Sequence, residues 1–120
     1  SSVMIGLSTR CRYFLYGEAT DMRKSFDGLC RIIRCQTNHA VLSGDVFIFI
    51  NRRGDRIKLL MWDVSGFALY YKRLEQGSFK KPAMVKGNNT LEMGLSELVM
   101  LLEGVEIMSI KKRKRFQKSA

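Results

Sequence analysis

Between Val46 and Arg73 the chain alternates three apolar-rich runs with two short polar reversals, and few architectures accept that arrangement. Val46–Ile50 consists of five apolar residues, three β-branched and two aromatic, a composition that suits a buried strand. Arg52-Arg53-Gly54-Asp55 follows, and a glycine at the third position supplies the positive φ that a tight reversal needs. A second strand is predicted over 56–62. Asp63-Val64-Ser65-Gly66 turns the chain again, and a third strand runs over 67–73. Reversals this short force neighbouring strands to pair antiparallel, so the segment reads as a β-meander.

The flanking sequence has to cover this sheet. Arg12–Tyr16 is a short aromatic run ended by Gly17 and reads as one more strand. Met22, Phe26, Leu29 and Ile33 recur at helical spacing, which predicts a helix of about residues 22–36, with Thr20 or Asp21 as N-cap. Gly28 lies inside it and costs about 1 kcal/mol against Ala, so a close packing neighbour is expected there. Residues 36–45 form a loop, and 75–90 an extended basic connection with Gly77, Pro82 and Gly87 as breaks. Thr90–Met93 suits a short strand. Leu95, Leu98, Val99, Leu102 and Val105 have helical spacing and predict a second helix over 95–103, which Gly104 is placed to stop before a short apolar exit over 105–110. The expectation is a single α+β domain over residues 4–110, built on a mainly antiparallel sheet of four to five strands, with Met4 as the natural start.

Charge narrows the partners. The chain carries 21 Lys and Arg against 11 Asp and Glu, a net charge of +10. Such a balance favours phosphates or acidic surfaces. Six of the basic residues fall within 111–120, a segment with no acid and too few apolar groups for a core. It is expected to be a disordered tail, either merely solubilising or an arm for the phosphate backbone. No stretch is long and apolar enough for a membrane span, and no basic-then-apolar leader opens the chain. Cys11, Cys30 and Cys35 make an odd count in no disulfide-like pattern, which suits a reducing cytoplasm.

Candidate chemistry divides unevenly. Two-metal DNA cleavage needs converging carboxylates. Asp21, Asp45, Asp55 and Asp63 are explained by a cap and turns, and Asp27 and Glu75 by surface or salt-bridge roles, so no catalytic residue is expected. Cys11, Cys30, Cys35 and His39 form a possible zinc set, but helical thiols more often pack as small apolar groups, and no metal is expected. The Arg52–Arg56 reversal is the best local candidate, because guanidinium groups hold phosphate through paired donors. Trp62, Tyr70 and Tyr71 could stack on unpaired bases, although core is the expected role. Whether Lys58, Trp62, Tyr70 and Lys72 share a face depends on strand register.

Five blocks of this sequence, in order, resemble one family. They are Asp21-Met22-Arg23-Lys24-Ser25-Phe26-Asp27-Gly28-Leu29, Arg52-Arg53-Gly54-Asp55-Arg56-Ile57-Lys58, Trp62-Asp63 with Gly66-Phe67, Lys72-Arg73-Leu74-Glu75-Gln76-Gly77 with Phe79 and Pro82, and Leu101-Leu102-Glu103-Gly104-Val105. Together they are similar to the signature of the small TnpB accessory proteins of the insertion-sequence-66 transposon family. Lys81 departs from it, standing where the family usually carries Trp. The resemblance implies a bacterial mobile-element protein that acts beside a larger transposase, and it supplies no catalytic residues and no cofactor.

The expected function is therefore that of a non-catalytic transposition accessory protein whose partners are DNA and the transposase of the same element. The residues expected to meet nucleic acid are Arg52, Arg53, Arg56, Lys58, Lys72, Arg73, Lys80 and Lys81, with Lys111, Lys112, Arg113, Lys114 and Arg115 of the tail. The alternative is a protein-interaction module that docks on the transposase without touching DNA.

Overall fold

The computed structural model describes residues 7–104. The expected strand at Thr90–Met93 is present, and the chain order is β1 (Tyr13–Tyr16), α1 (Phe26–Gln36), β2 (Val46–Ile50), β3 (Arg56–Asp63), β4 (Gly66–Arg73), β5 (Thr90–Met93) and α2 (Leu95–Leu102). The five strands form one sheet in the order β4-β3-β2-β1-β5. The meander pairs antiparallel as expected, with Phe47 opposite Leu60 and Leu60 opposite Leu69. β5 also runs antiparallel to β1. Among the described residues the one parallel pairing joins β1 to β2, with α1 as the crossover that a parallel pair requires. The α+β fold with a mainly antiparallel sheet is thus observed.

β2 is buried along its whole length because it is the central strand and is covered on both of its own faces. Val46, Ile48 and Ile50 join Tyr13, Leu15, Ile57 and Leu59 in a core completed by Leu98, Leu101 and Leu102 of α2. Phe47 and Phe49 point the other way, into a second core with Phe14, Leu60 and the α1 residues Leu29 and Ile33. The two cores reflect the period-two alternation of side chains along a strand.

Helix α1 begins later than the apolar spacing suggests, at Phe26 and not near residue 22. Neither Thr20 nor Asp21 is its N-cap. The Thr20 amide donates to the carbonyl of Ile50 at the end of β2, and the Asp21 Oδ1 accepts from the Arg23 amide at 2.9 Å, closing a local turn. Met22 still packs against the α1 core, so its apolar character is used without helical geometry. The close neighbour expected at Gly28 is the Lys24 side chain, whose Cβ would stand 3.0 Å from an added methyl group.

At the other end of the chain, the Gly94 amide donates to Glu97 Oε1 at 2.7 Å, satisfying an otherwise open donor at the start of α2. Gly104 adopts φ +75 and its amide donates to the Leu101 carbonyl, which ends the helix as expected. No helix among the described residues is long and apolar enough to cross a membrane. The apolar exit predicted over 105–110 and the basic tail over 111–120 lie outside the described residues.

Candidate nucleic-acid interface

The 51–56 reversal is held by its own side chains. Asn51 Oδ1 accepts from the amides of Gly54 and Arg56, each at 3.0 Å, while its Nδ2 donates to Asp55 Oδ1 at 2.8 Å. Gly54 sits at φ +80, the left-handed geometry that its lack of a Cβ permits. From outside, the Leu74 amide donates to the Asp55 carbonyl, and the Phe79 amide to the Gly54 carbonyl at 2.7 Å. Phe79 is buried in the core, so the connection after β4 straps the reversal down. Two neighbours that the charge pattern alone does not weight, Asn51 and Phe79, therefore set the geometry of the arginine turn.

The same end of the sheet receives the segment before α1. Because Thr20 bonds the end of β2, residues 19–23 lie against Asn51, Arg52, Arg53, Asp55 and Arg56 across an open cleft of about 570 Å³. Two of the sequence blocks singled out above, some thirty positions apart, thus form opposite walls of one concavity.

The charges in this cleft are not equivalent. Arg23 donates to both oxygens of Asp21, with its shortest contact 2.7 Å. That hydrogen bonding holds the exposed Asp21 carboxyl down to about 2. Asp55 is also held below its usual range, chiefly by the Asn51 side chain, with smaller help from Arg53 and Arg56 and against a desolvation effect. It is therefore spent inside the turn. Among the described residues Arg52, Arg53 and Arg56 make no ion pair, which leaves three guanidinium groups open to a ligand.

The structure distributes the remaining basic residues in two ways. Arg73 of β4 stands directly opposite Arg56 in the sheet and pairs loosely with Glu75 at 3.4 Å, and Lys80 is exposed just beyond the strap at Phe79. Three other ammonium groups are engaged with backbone. Lys58 is buried, and its Nζ donates to the carbonyls of Met22 at 2.9 Å and Lys24 at 2.7 Å. Burial pushes its ammonium below the ordinary lysine value, while the charge of Asp21 pulls the other way. Lys72 Nζ donates to the carbonyl of Leu102 at the end of α2, where a cation is favoured by the helix dipole. Lys81 Nζ donates to the Gly17 carbonyl. Lys111, Lys112, Arg113, Lys114 and Arg115 lie outside the described residues.

Register also decides which rings face which way. Lys58 pairs with Tyr71 and Trp62 with Phe67, so these four side chains share the α1 face, whereas Tyr70 and Lys72 face α2. Tyr71 departs from the core role expected for it. It is 47% exposed, with Lys58 Nζ 4.9 Å from its ring centroid.

Metal ligands do not assemble here. No group of three or more His, Cys, Asp or Glu among the described residues is placed to hold an ion. His39 instead lies 3.2 Å from Thr90 Oγ1 and against the ring of Phe14, Cys30 is buried, and Asp45 is bridged by Arg12 at 3.1 Å.

Fold and cleft together define a small α+β domain with a rigid arginine-bearing turn at one end of its sheet. The chain belongs to the family described as IS66 Orf2-like protein, whose sequence profile matches residues 11–112. That family places it among the accessory proteins of insertion-sequence transposition, and it is not a known catalytic family. Two relatives come from Sinorhizobium fredii (strain NBRC 101917 / NGR234). Uncharacterized protein y4jC is 31% identical over 110 residues, 92% of each chain. Uncharacterized protein y4hO is 31% identical over 87 residues, covering 72% of this chain and 74% of the relative. No solved structure matches the chain.

Proposed function

We propose that this accessory protein works without catalysing strand breakage, by binding DNA through the phosphate backbone, in the cytoplasm and beside the transposase of its element. One observation supports the reading above the others: Arg52, Arg53 and Arg56 converge on one cleft, on a turn braced by Asn51 and Phe79, with no carboxylate partner among the described residues. An unpaired guanidinium cluster on a rigid loop is suited to phosphate, because its paired donors match the oxyanion and little ordering entropy is lost on contact. Arg73 and Lys80 extend this basic end. Lys58, Lys72 and Lys81 drop out of the proposed contact set because backbone carbonyls hold their charges. Lys111–Arg115 are proposed as a second, backbone-tracking contact. Nothing in this set reads base edges, so the binding is expected to be sequence-tolerant.

The test is binding to element-end duplex across a salt series. Affinity should fall steeply as salt rises, and the slope of log affinity against log salt should shrink by about one for each arginine removed in Arg52→Glu and Arg53→Glu. Deleting residues 111–120 should shrink it further. Absence of binding at low salt, together with stable co-purification with the transposase, would replace this reading with docking on that partner.

A further inference from the structure

The sheet face under α1 is only partly covered. The α1 core takes in Leu60 and reaches the half-buried Phe67 and Leu69, but Trp62 is half-buried beyond it and Tyr71 is exposed. Along β4 the residues on this face are Phe67, Leu69, Tyr71 and Arg73, spaced as alternate positions on a strand, about 6.8 Å apart. Across from them stand Trp62, Leu60, Lys58 and Arg56. Two like-charged arginines therefore face each other directly, an arrangement that disfavours the free sheet. Arg56 also lines the arginine cleft, and the sheet face it stands on carries Tyr71 at the next position along β4 and, farther on, the Trp62–Phe67 pair, whose ring centroids are 5.0 Å apart. Lys58 supports Tyr71 from within the sheet through a cation–π contact.

We infer that this face binds unpaired DNA, with phosphates at Arg56 and Arg73 and a base stacked on Tyr71. The inference rests on the DNA-binding reading and deepens it by naming the strand form recognised. A duplex presents its phosphates to the cleft but keeps its bases stacked inside, so an exposed ring on the sheet face meets none of them. A single strand offers both at once, and stacking on an aromatic platform tolerates any base. Positive charge bordering the ring favours this occupant over an apolar protein segment, which would have to bury Arg56 without a counter-charge and the loose Arg73–Glu75 pair with it.

The experiment compares an unstructured thymidine oligonucleotide with a duplex of equal length, at low salt, on the full chain. Tyr71→Ala should weaken oligonucleotide binding roughly ten-fold and leave duplex binding unchanged, while Tyr71→Phe should restore it. Trp62 is the only tryptophan, so its emission should be quenched by the oligonucleotide and not by the duplex. Circular dichroism matching the wild type shows that Tyr71→Ala has folded. Should that variant be misfolded, the same loss of oligonucleotide binding in a folded Tyr71→Leu variant, which keeps apolar bulk but removes the ring, with duplex binding unchanged, is the supporting result. Equal loss on both ligands, no loss on either, or no quench overturns the single-strand inference while duplex binding stands. Failure of the wild type to bind either ligand removes the DNA-binding reading itself. Retained oligonucleotide binding with lost transposase co-purification in Tyr71→Ala assigns the face to protein docking instead.

Discussion

Lys58 Nζ lies 2.7 Å from the carbonyl oxygen of Lys24, so a strand residue near the sheet edge holds the loop that precedes α1. A second bond to the Met22 carbonyl makes the attachment bidentate. A lysine that resembles a phosphate contact in sequence therefore positions one wall of the arginine cleft.

Replacing Lys58 by Met keeps the length of the side chain but leaves two carbonyls without their donor. Hydrogen bonds to a charged group contribute about 1.5–3 kcal/mol each in favourable cases, and water can reach part of this loop, so a loss of about 1–2 kcal/mol is expected. The pH dependence carries the same signature. Because burial lowers the Lys58 value below 10.5, the unfolded chain binds more protons than the folded one just under that pH. Lys58 therefore makes the wild type gain stability as pH rises through that window, and Lys58→Met lacks the gain. Urea denaturation of both proteins from neutral pH toward 10.5 should show the gap between them widening.

Asp21→Asn is expected to strengthen duplex binding several-fold, in the direction of one extra phosphate contact. The asparagine oxygen can still accept from the Arg23 amide, so the turn survives, but the Arg23 side chain is released and the cleft gains a positive charge. The carboxylate's own contribution to the folded loop is complete above its ordinary 3.8 and disappears as pH falls toward about 2. Since Asp21 is exposed, that contribution should also fade at high salt. Fluorescence anisotropy with a labelled duplex, alongside acid titrations of both proteins, measures the two effects. Unchanged or weaker binding by Asp21→Asn would place the cleft away from the phosphates.

Gly54→Ala combines two penalties. An L side chain at φ +80 costs about 1–2 kcal/mol, and the new methyl would stand 3.3 Å from the Ser78 Cβ within the strap. Thermal unfolding should begin several degrees lower. Binding should weaken further than stability alone accounts for, because the strap at Phe79 fixes the turn that carries Arg52 and Arg53.

Val64 offers the opposite experiment. It is 90% exposed in the β3–β4 reversal, yet it adopts φ +43, a region that a β-branched residue strongly disfavours. Val64→Gly is expected to raise stability by roughly 1 kcal/mol, the relief of left-handed strain exceeding the added freedom of the unfolded chain. A higher denaturation midpoint with an unchanged slope is the supporting result.

Elements whose residues carry local signals are readable from the chain. Val46–Ile50, the two reversals after it and the glycine stop at Gly104 all have short-range causes, and each is where its sequence puts it. The start of α1 is different. Met22 has the correct helical spacing, but tertiary bonds from Ile50 and Lys58 hold residues 20–24 in a turn, and periodicity contains no information about such bonds. Register imposes the same limit on the site. The open arginines at 52, 53 and 56 are legible from charge and glycine geometry, whereas the diversion of Lys58, Lys72 and Lys81 to carbonyls 30 to 64 positions away is not.

The placement of β1 between β2 and β5 ties the two ends of the domain together. Tyr13–Tyr16 emerges early in synthesis, but the strand that covers its outer side begins at Thr90. A nascent chain or a product truncated before that point would present four apolar residues with open backbone groups on one side, an invitation to pair with another copy. Shortening this small protein from its C-terminal side should therefore produce aggregates well before it removes any arginine of the cleft.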